Sequence, residues 1–160
     1  MEIRHASIND LDAIWQLEKA CFPPAETAPR ESFEKRIHVF PNHFWLMYEG
    51  ETLLSCVNGF VTNEEILTDE MFEDASMHDE NGAWQMIFGV LTHPAHRGHG
   101  YATTLLKRAI EDSKAQERKG VILTCKDALV PFYRRLGFVS EGLSVSEHGG
   151  AQWYQMRIRF

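Results

Sequence analysis

The sequence predicts a mixed α/β fold, in which helices cover both faces of a mostly antiparallel sheet of six to seven strands. Three observations lead to this prediction. Residues 86–91 form an apolar run typical of a buried strand, and apolar residues recur with helical spacing after Gly100. Residues 121–125 form a second apolar run, and a strand–helix–strand crossover of this length implies parallel pairing. Residues 153–160 alternate apolar and polar side chains, which indicates a half-buried strand.

The first forty residues predict a short strand and two helices. Residues 3–5 are long enough for an edge strand, and Ser7 offers a helix cap. Apolar residues then follow at helical spacing until the two prolines at 23 and 24 end the helix. A second helix is expected to start in residues 27–31, with Phe33 and Ile37 on its apolar face.

The middle of the chain predicts a hairpin and an exposed acidic segment. Residues 44–48 and 53–61 read as two strands joined by the turn at 49–51. Residues 64–75 are acidic and predict a short exposed helix or an ordered loop. Residues 84–92 then form one strand, whose expected antiparallel partner is the strand 53–61.

After Gly100 a helix is expected to run to about residue 116, followed by the strand 121–125. Residues 128–136 predict a short helix with Pro131 in its first turn, where proline is tolerated, and with Gly137 just beyond its end. Segments 139–142 and 153–160 are expected to close the sheet as an antiparallel pair.

Length and composition limit the class of protein. The 160 residues suit a single domain spanning 1–160, and the net charge of −7 argues against a general nucleic-acid binder. No apolar run is long enough to span a membrane, and the first residues lack a signal-peptide pattern. The three cysteines are odd in number and lack metal-ligand spacing, which indicates reduced thiols in a cytoplasmic protein.

The charges are unevenly distributed. Residues 37–96 contain ten acidic residues and no lysine or arginine, whereas residues 97–135 contain nine basic residues and four acidic ones. This separation has two readings. It reflects solvated faces that happen to segregate, or a chain whose middle attracts a cation while its third quarter attracts an anion.

The turn that follows the strand 84–92 carries chemistry. Arg97-Gly-His-Gly-Tyr-Ala102 joins a strand to a helix, so unpaired backbone N–H groups lie at the positive end of the helix dipole. Glycines 98 and 100 allow a diphosphate to approach the backbone closely. The turn lacks the Gly-Lys-Ser/Thr ending of a Walker loop and the Gly-x-Gly-x-x-Gly of a dinucleotide fingerprint.

A second motif, Cys-Lys-Asp-Ala-Leu-Val-Pro-Phe-Tyr-Arg-Arg-Leu-Gly-Phe, occupies residues 125–138. Together with the Arg-Gly-x-Gly-x-Ala turn about thirty residues earlier, it resembles the GNAT superfamily of acyl-CoA N-acyltransferases. Within that superfamily the sequence is most similar to the arylalkylamine (serotonin-type) N-acetyltransferases, whose Asp-Ala-Leu-Val-Pro-Phe-Tyr-x-Arg-x-Gly-Phe block matches residues 127–138. The resemblance is strong over residues 90–138 and weaker over the first hundred residues.

The resemblance implies a GNAT-like fold, acetyl-CoA as cosubstrate and a set of site residues. The backbone of Val90, Leu91 and Thr92 is expected to meet the acetyl group and the pantetheine arm, and to stabilise the thioester oxyanion. Tyr133 matches the family tyrosine that protonates the departing thiolate. The pyrophosphate is expected on the turn formed by Arg97, Gly98, His99, Gly100, Tyr101, Ala102 and Thr103.

The sequence departs from these relatives in two places. The animal arylalkylamine enzymes carry two histidines where this chain has Met86 and Phe88, which suggests a drier acceptor wall. The proton of the amine must then pass to another group: a water chain ending at an acid of residues 64–80, or one of His78, Glu80 and Glu26. Lys126 stands where many GNAT members have asparagine, so the usual contact there is in doubt.

These observations predict an enzyme that moves the acetyl group from acetyl-CoA to a primary aryl- or alkylamine by direct attack on the thioester. The alternatives are the same chemistry on a polyamine, an aminoglycoside or a protein amine, or a non-catalytic CoA-binding module. A protein acceptor needs an open groove, whereas a small amine needs an enclosed pocket. No metal is expected, since His93, His96 and His99 lack an acidic partner. No nucleic acid or membrane partner is expected, and the chain is expected to be a monomer or homodimer.

Overall fold

The computed structural model describes residues 1–160, which form nine strands and five α-helices. The helices are α1 (Leu11–Cys21), α2 (Arg30–Val39), α3 (Asp69–Glu73), α4 (Tyr101–Ala115) and α5 (Val130–Arg135). The strands are β1 (Glu2–Arg4), β2 (Phe44–Glu49), β3 (Thr52–Asn58), β4 (Val61–Thr62), β5 (Trp84–Ile87), β6 (Gly89–Thr92), β7 (Gly120–Cys125), β8 (Val139–Leu143) and β9 (Tyr154–Arg159).

The mixed α/β fold is confirmed, but its strands form two sheets rather than one sheet of six to seven strands. The first sheet has the order β1-β2-β3-β6, and the second has the order β4-β5-β7-β9-β8. Every strand pair is antiparallel except β5 and β7, which run parallel as the crossover through α4 requires.

The two sheets meet at Phe88, where the single strand expected over residues 84–92 is interrupted. Before this residue β5 pairs with β7 in the second sheet, and after it β6 pairs with β3 in the first. The Phe88 N–H donates to the carbonyl of Asn58 over 2.7 Å, at the point where pairing with β3 begins. One apolar run thus contributes a strand to each sheet, because its neighbouring strand changes from β7 to β3 at Phe88.

Helices cover both faces, as expected, and each face has its own core. Along β2, Leu46 and Tyr48 join a core shared with α1 and α2, whereas Trp45 and Met47 join the core beneath α4 and α5. This division follows from the two-residue period of a strand, which sends successive side chains to opposite faces. None of the helices combines the length and the apolar character that crossing a bilayer requires.

Candidate active site

A V-shaped opening forms between β6 and β7, because β6 does not continue the pairing of β5 with β7. The parallel pairing of β5 with β7 ends at Ile87 and Leu123, after which β6 follows β3 instead. The N–H of His93 donates to the carbonyl of Leu54, so in this antiparallel ladder residues 89 and 91 also direct their polar backbone groups toward β3. Val90 therefore presents its N–H and carbonyl to the opening.

The three backbone positions predicted to meet the acetyl and pantetheine groups are consequently not equivalent. Leu91 faces β3 with its polar backbone groups, its carbonyl also accepts from Ser55 Oγ over 2.6 Å, and its side chain is fully buried. The carbonyl of Thr92 is occupied by Arg97 Nε at 3.1 Å and by Cys21 Sγ at 3.3 Å. Val90 is thus the best placed of the three to donate to a ligand, and Leu91 is the least.

A cavity of about 590 Å³ extends from the opening between the sheets. One end is bordered by Gly89 and Val90 of β6 and by the carboxyl end of β7. The far end is bordered by the segment between α1 and α2, by α3 and by the β8–β9 loop. These parts contribute the aromatic side chains of Phe22, Phe72 and Trp153, and Phe88 lines the cavity from the junction of β5 and β6.

Tyr133 of α5 lines the same cavity, and only 5% of its surface is exposed. Its backbone is held by the glycine that ends the helix: Gly137 adopts φ +101°, and the Phe138 N–H donates to the Tyr133 carbonyl over 3.1 Å. The Tyr133 hydroxyl makes no hydrogen bond within the protein. Burial raises the pKa of Tyr133 well above its ordinary value, so the hydroxyl stays protonated near neutral pH.

The turn of residues 97–103 has the local geometry that a phosphate site needs. Gly98 and Gly100 adopt φ +88° and +77°, a left-handed conformation that side chains disfavour, and the space at both Cα atoms is open. The first helical bond of α4 runs from the Thr104 N–H to the Gly100 carbonyl. The N–H groups of residues 101–103 therefore have no partner in the helix and are free to bind an anionic group such as a phosphate.

Two side chains of this region act on the turn itself. Arg97 ties the turn back to β6 through Thr92, and His99 stacks on Tyr101 with ring centroids 5.4 Å apart. His93 Nδ1 accepts from the Ala95 N–H, so this histidine caps its own turn. His93, His96 and His99 do not converge on one point.

The group that could converge on a metal lies elsewhere and consists of His43, His78 and Glu80. His78 Nδ1 accepts from the Val61 N–H at 3.0 Å, so its proton sits on Nε2, the atom that faces Glu80. Glu80 also pairs with Arg118 at 2.9 Å. A protonated ligand nitrogen and an adjacent cation make this an ion-pair cluster rather than a metal site.

The far end of the cavity is tied together by hydrogen bonds between three walls. His148 Nε2 donates to the carbonyl of Glu26 over 2.8 Å, and Trp153 Nε1 donates to the carbonyl of His148 over 2.8 Å. Asp69 of α3 accepts from the hydroxyl of Ser146 and the N–H of Glu147. The β8–β9 loop thus closes over the segment between α1 and α2.

Arg36 and Glu18 complete the interior of that end. Arg36 donates to Asn58 Oδ1 and to the Phe72 carbonyl, and burial lowers its pKa to about 10. Burial raises the pKa of Glu18, whose Oε2 accepts from the Ala28 N–H over 2.9 Å. Both side chains brace the walls.

The sequence predicted that Met86 and Phe88, which stand at the histidine positions of the relatives, form an apolar wall of the acceptor site, and only one of the two does. Phe88 borders the cavity and packs on Phe72 at 4.8 Å between centroids, but Met86 is fully buried in the core beneath α1 and α2. The candidate proton acceptors differ in position: Glu26 lines the cavity, whereas His78 and Glu80 do not.

The sequence did not predict that Arg36, His148 and Trp153 line the cavity. These residues belong to no recognisable motif and reach the cavity only through long-range packing.

Sequence comparison agrees with this geometry. The sequence model described as the Acetyltransferase (GNAT) family matches residues 11–138. The chain is 26% identical over 145 residues to "Serotonin N-acetyltransferase" of Mesocricetus auratus, covering 88% of this chain and 69% of that protein.

Structure comparison points to the same fold. The loading GNATL domain of CurA from Lyngbya majuscula superposes with a TM-score of 0.86 at 14% identity, covering 99% of this chain and 96% of that domain. GphF, a GNAT-like decarboxylase solved with isobutyryl-CoA, superposes with a TM-score of 0.83 at 18% identity, covering 99% of both chains. At such identities the likeness concerns the fold alone.

Proposed function

Because the chain belongs to the GNAT acetyltransferase family, and is therefore an acyltransferase with acetyl-CoA as cosubstrate, we propose that it acetylates a small primary amine bearing an apolar aryl or alkyl group. The observation that carries the proposal is the cavity, which joins the exposed backbone of Val90 and the hydroxyl of Tyr133 to an aromatic end. The similarity to a serotonin N-acetyltransferase supports the same class of acceptor.

In this proposal the backbone performs the first part of the reaction. The turn of residues 97–103 holds the pyrophosphate, and the Val90 N–H donates to the thioester oxygen as negative charge develops there. The amine attacks the carbonyl carbon directly, without an acyl-enzyme. Both contacts use main-chain groups, which are fixed before the substrate arrives.

Tyr133 acts on the departing sulfur. When the C–S bond breaks, the electron pair stays on sulfur, and the hydroxyl of Tyr133 gives its proton to the thiolate. A free thiol has a pKa of about 8.5, and a buried site raises the pKa of a thiol as it raises that of the tyrosine. Burial therefore shifts the pKa values of the tyrosine and of the thiol in the same direction, so it does not by itself widen the gap that the proton transfer must overcome.

The closed end of the cavity favours a small acceptor over a protein. Hydrogen bonds join the β8–β9 loop to both α3 and the segment after α1, so these walls do not form an open groove. Phe22, Phe72 and Trp153 offer apolar surface to the body of an amine. A polyamine, an aminoglycoside and a protein amine are the competing acceptors.

The test is an assay of CoA thiol release over a panel of amines. We expect arylalkyl- and alkylamines to give higher kcat/KM than spermidine, an aminoglycoside or a peptide with a free N-terminus. A parallel reaction without amine measures release by hydrolysis. CoA binding in calorimetry with no amine-dependent turnover would overturn the proposal in favour of a non-catalytic module.

Tyr133→Phe tests the assignment of the acid. We expect kcat to fall about 10²-fold, because general-acid catalysis contributes that order of rate, while the Kd for acetyl-CoA changes little. Tyr154→Phe, on β9, is the matched control and should behave as the wild type. An undiminished kcat in the Tyr133 variant would contradict the role.

A further inference from the structure

The geometry points to Glu26 as the group that receives the proton of the attacking amine, with Lys126 as the residue that positions it. This inference rests on the proposed function. It also accounts for Lys126, which the resemblance to other GNAT members leaves unexplained.

A proton acceptor is needed because an alkylamine has a pKa near 10 and must lose protons to form an amide. Met86 and Phe88 cannot supply one. Glu80 is held by His43 at 2.9 Å and by Arg118, and neither Glu80 nor His78 borders the cavity. The acceptor must therefore come from another wall.

Four carboxylates do border the cavity, and three of them are poorly suited. Asp69 is occupied by the β8–β9 loop, and Glu18 holds the backbone of the segment after α1 through the Ala28 N–H and has no oxygen that is buried without a donor. Glu73 is exposed on α3 and makes no hydrogen bond. Glu73 is therefore solvated, whereas Glu26 is nearly buried.

Glu26 is buried to 8% exposure, and its two oxygens differ. Oε2 accepts from Lys126 Nζ over 2.9 Å, but Oε1 is buried without any hydrogen-bond donor. A buried carboxylate oxygen without a donor is costly, so the arrangement is incomplete until a donor arrives. The N–H of an amine is such a donor.

Lys126 fixes where this carboxylate sits. It directly follows β7, whose carboxyl end borders the V-shaped opening, so its ammonium links the carboxylate of Glu26, from the far end of the cavity, to the side that carries Val90. From the other side His148 holds the backbone of Glu26, and its ring stacks on Phe72 at 5.5 Å. Main chain and side chain are thus both held.

The charged and titratable groups around Glu26 come from every wall of the cavity. They are Glu18 and Cys21 of α1, Arg36 of α2, Asp69 and Glu73 of α3, Cys125 of β7, Lys126 after β7, Tyr133 of α5, and His148 of the β8–β9 loop. Of these, Lys126 is the one that pairs with the carboxylate.

The step balances as follows. The neutral amine forms the C–N bond with the carbonyl carbon and becomes positively charged, and one of its protons passes to Glu26 Oε1. The C–S bond then breaks, and the thiolate takes the proton of Tyr133. Glu26 loses its proton and Tyr133 regains one through solvent as the products leave.

Glu26→Gln tests the inference, since it keeps the shape of the side chain and removes the proton acceptor. We expect kcat/KM for the amine to fall about 10²- to 10³-fold, with the Kd for acetyl-CoA unchanged by calorimetry. Glu73→Gln, a carboxylate at the rim of the same cavity, should retain wild-type kcat/KM.

Lys126→Met tests the positioning role. It should lower kcat/KM for the amine at least tenfold with the Kd for acetyl-CoA unchanged, and Lys126→Arg, which keeps a cation beside Glu26, should recover most of the loss, which a purely structural role would not predict. If the wild type turns over and kcat/KM of Glu26→Gln is undiminished, the inference is overturned and the proposed function still stands. Absence of turnover in the wild type refutes the proposed function itself.

Discussion

At the scale of single residues, Asp10 shows how one carboxylate organises the start of the chain. It accepts two hydrogen bonds from Arg4, at 2.9 and 2.7 Å, one from the Ser7 N–H at 2.8 Å and one from the Tyr48 hydroxyl at 2.7 Å. Burial acts to raise the pKa of Asp10, but these donors outweigh it and hold the pKa below its ordinary value. The carboxylate therefore joins β1, the start of α1 and β2.

Asp10→Asn should lower the free energy of unfolding by about 2 kcal/mol at pH 7, because the donors lose their charged acceptor. Since the folded pKa is depressed, this stabilisation is present above the unfolded value of about 3.9 and is lost as pH falls through the folded value. Urea denaturation of the wild type and the variant at pH 7 and at pH 3 measures the loss in the free energy of unfolding and its dependence on pH. Asp12→Asn, an exposed partner of Arg30, is the control and should change little. An equal loss at both pH values would contradict the charge-based explanation.

At the scale of elements, the turn between β6 and α4 combines two functions in one short segment. Its left-handed glycines reverse the chain, and the same conformation leaves three N–H groups at the start of a 15-residue helix. The dipole of that helix favours an anion at this end. A turn that only connected strand and helix would not need both glycines to lie on open, unobstructed surface.

Gly98→Ala should weaken acetyl-CoA binding at least tenfold, because a Cβ would occupy the space through which the pyrophosphate approaches. Part of any effect is backbone strain, since a left-handed alanine costs about 1–2 kcal/mol. Gly142→Ala is matched for this, because Gly142 has the same φ of +88° and open surroundings but lies in β8. Calorimetric Kd values for the two variants separate strain from ligand contact. Equal Kd values would argue against a pyrophosphate at the turn.

At the scale of the whole molecule, the uneven charge along the sequence has a mixed origin. Of the ten acids between residues 37 and 96, only Asp69 and Glu73 border the cavity, while Glu80 belongs to the ion-pair cluster with His43. Two further cavity carboxylates, Glu18 and Glu26, come from outside that segment. The segregated acids are therefore mostly surface groups, and cavity charge is assembled from several parts of the chain.

The two cores predict cooperative unfolding of residues 1–160 as one domain. Trp84 lies in the core beneath α1 and α2, Trp45 lies in the core beneath α4 and α5, and strands such as β2 contribute to both. Urea transitions followed by tryptophan fluorescence and by far-ultraviolet circular dichroism should therefore coincide. Two separated transitions would contradict a single domain. The oligomeric state, monomer or homodimer, stays a prediction that sedimentation would test.

The sequence by itself determined the features that depend on neighbouring residues. The helix after Gly100, the left-handed glycines at 98 and 100, and the proline and glycine around α5 follow from local backbone chemistry. The parallel pairing of β5 with β7 follows from the length of the crossover. These rules act over short stretches of chain, so pattern and spacing were enough.

The tertiary structure alone decided how the opening and the acceptor end of the cavity are built. The change of partner at Phe88 depends on β3 and β7 together, and no pattern within residues 84–92 reveals it. Lys126 and Glu26 are 100 residues apart, and His148 and Glu26 are 122 apart. Such contacts arise only when distant segments pack around shared cores. The sequence could therefore name Glu26 only as one of several candidate proton acceptors, whereas the packing left one of its oxygens buried and without a donor.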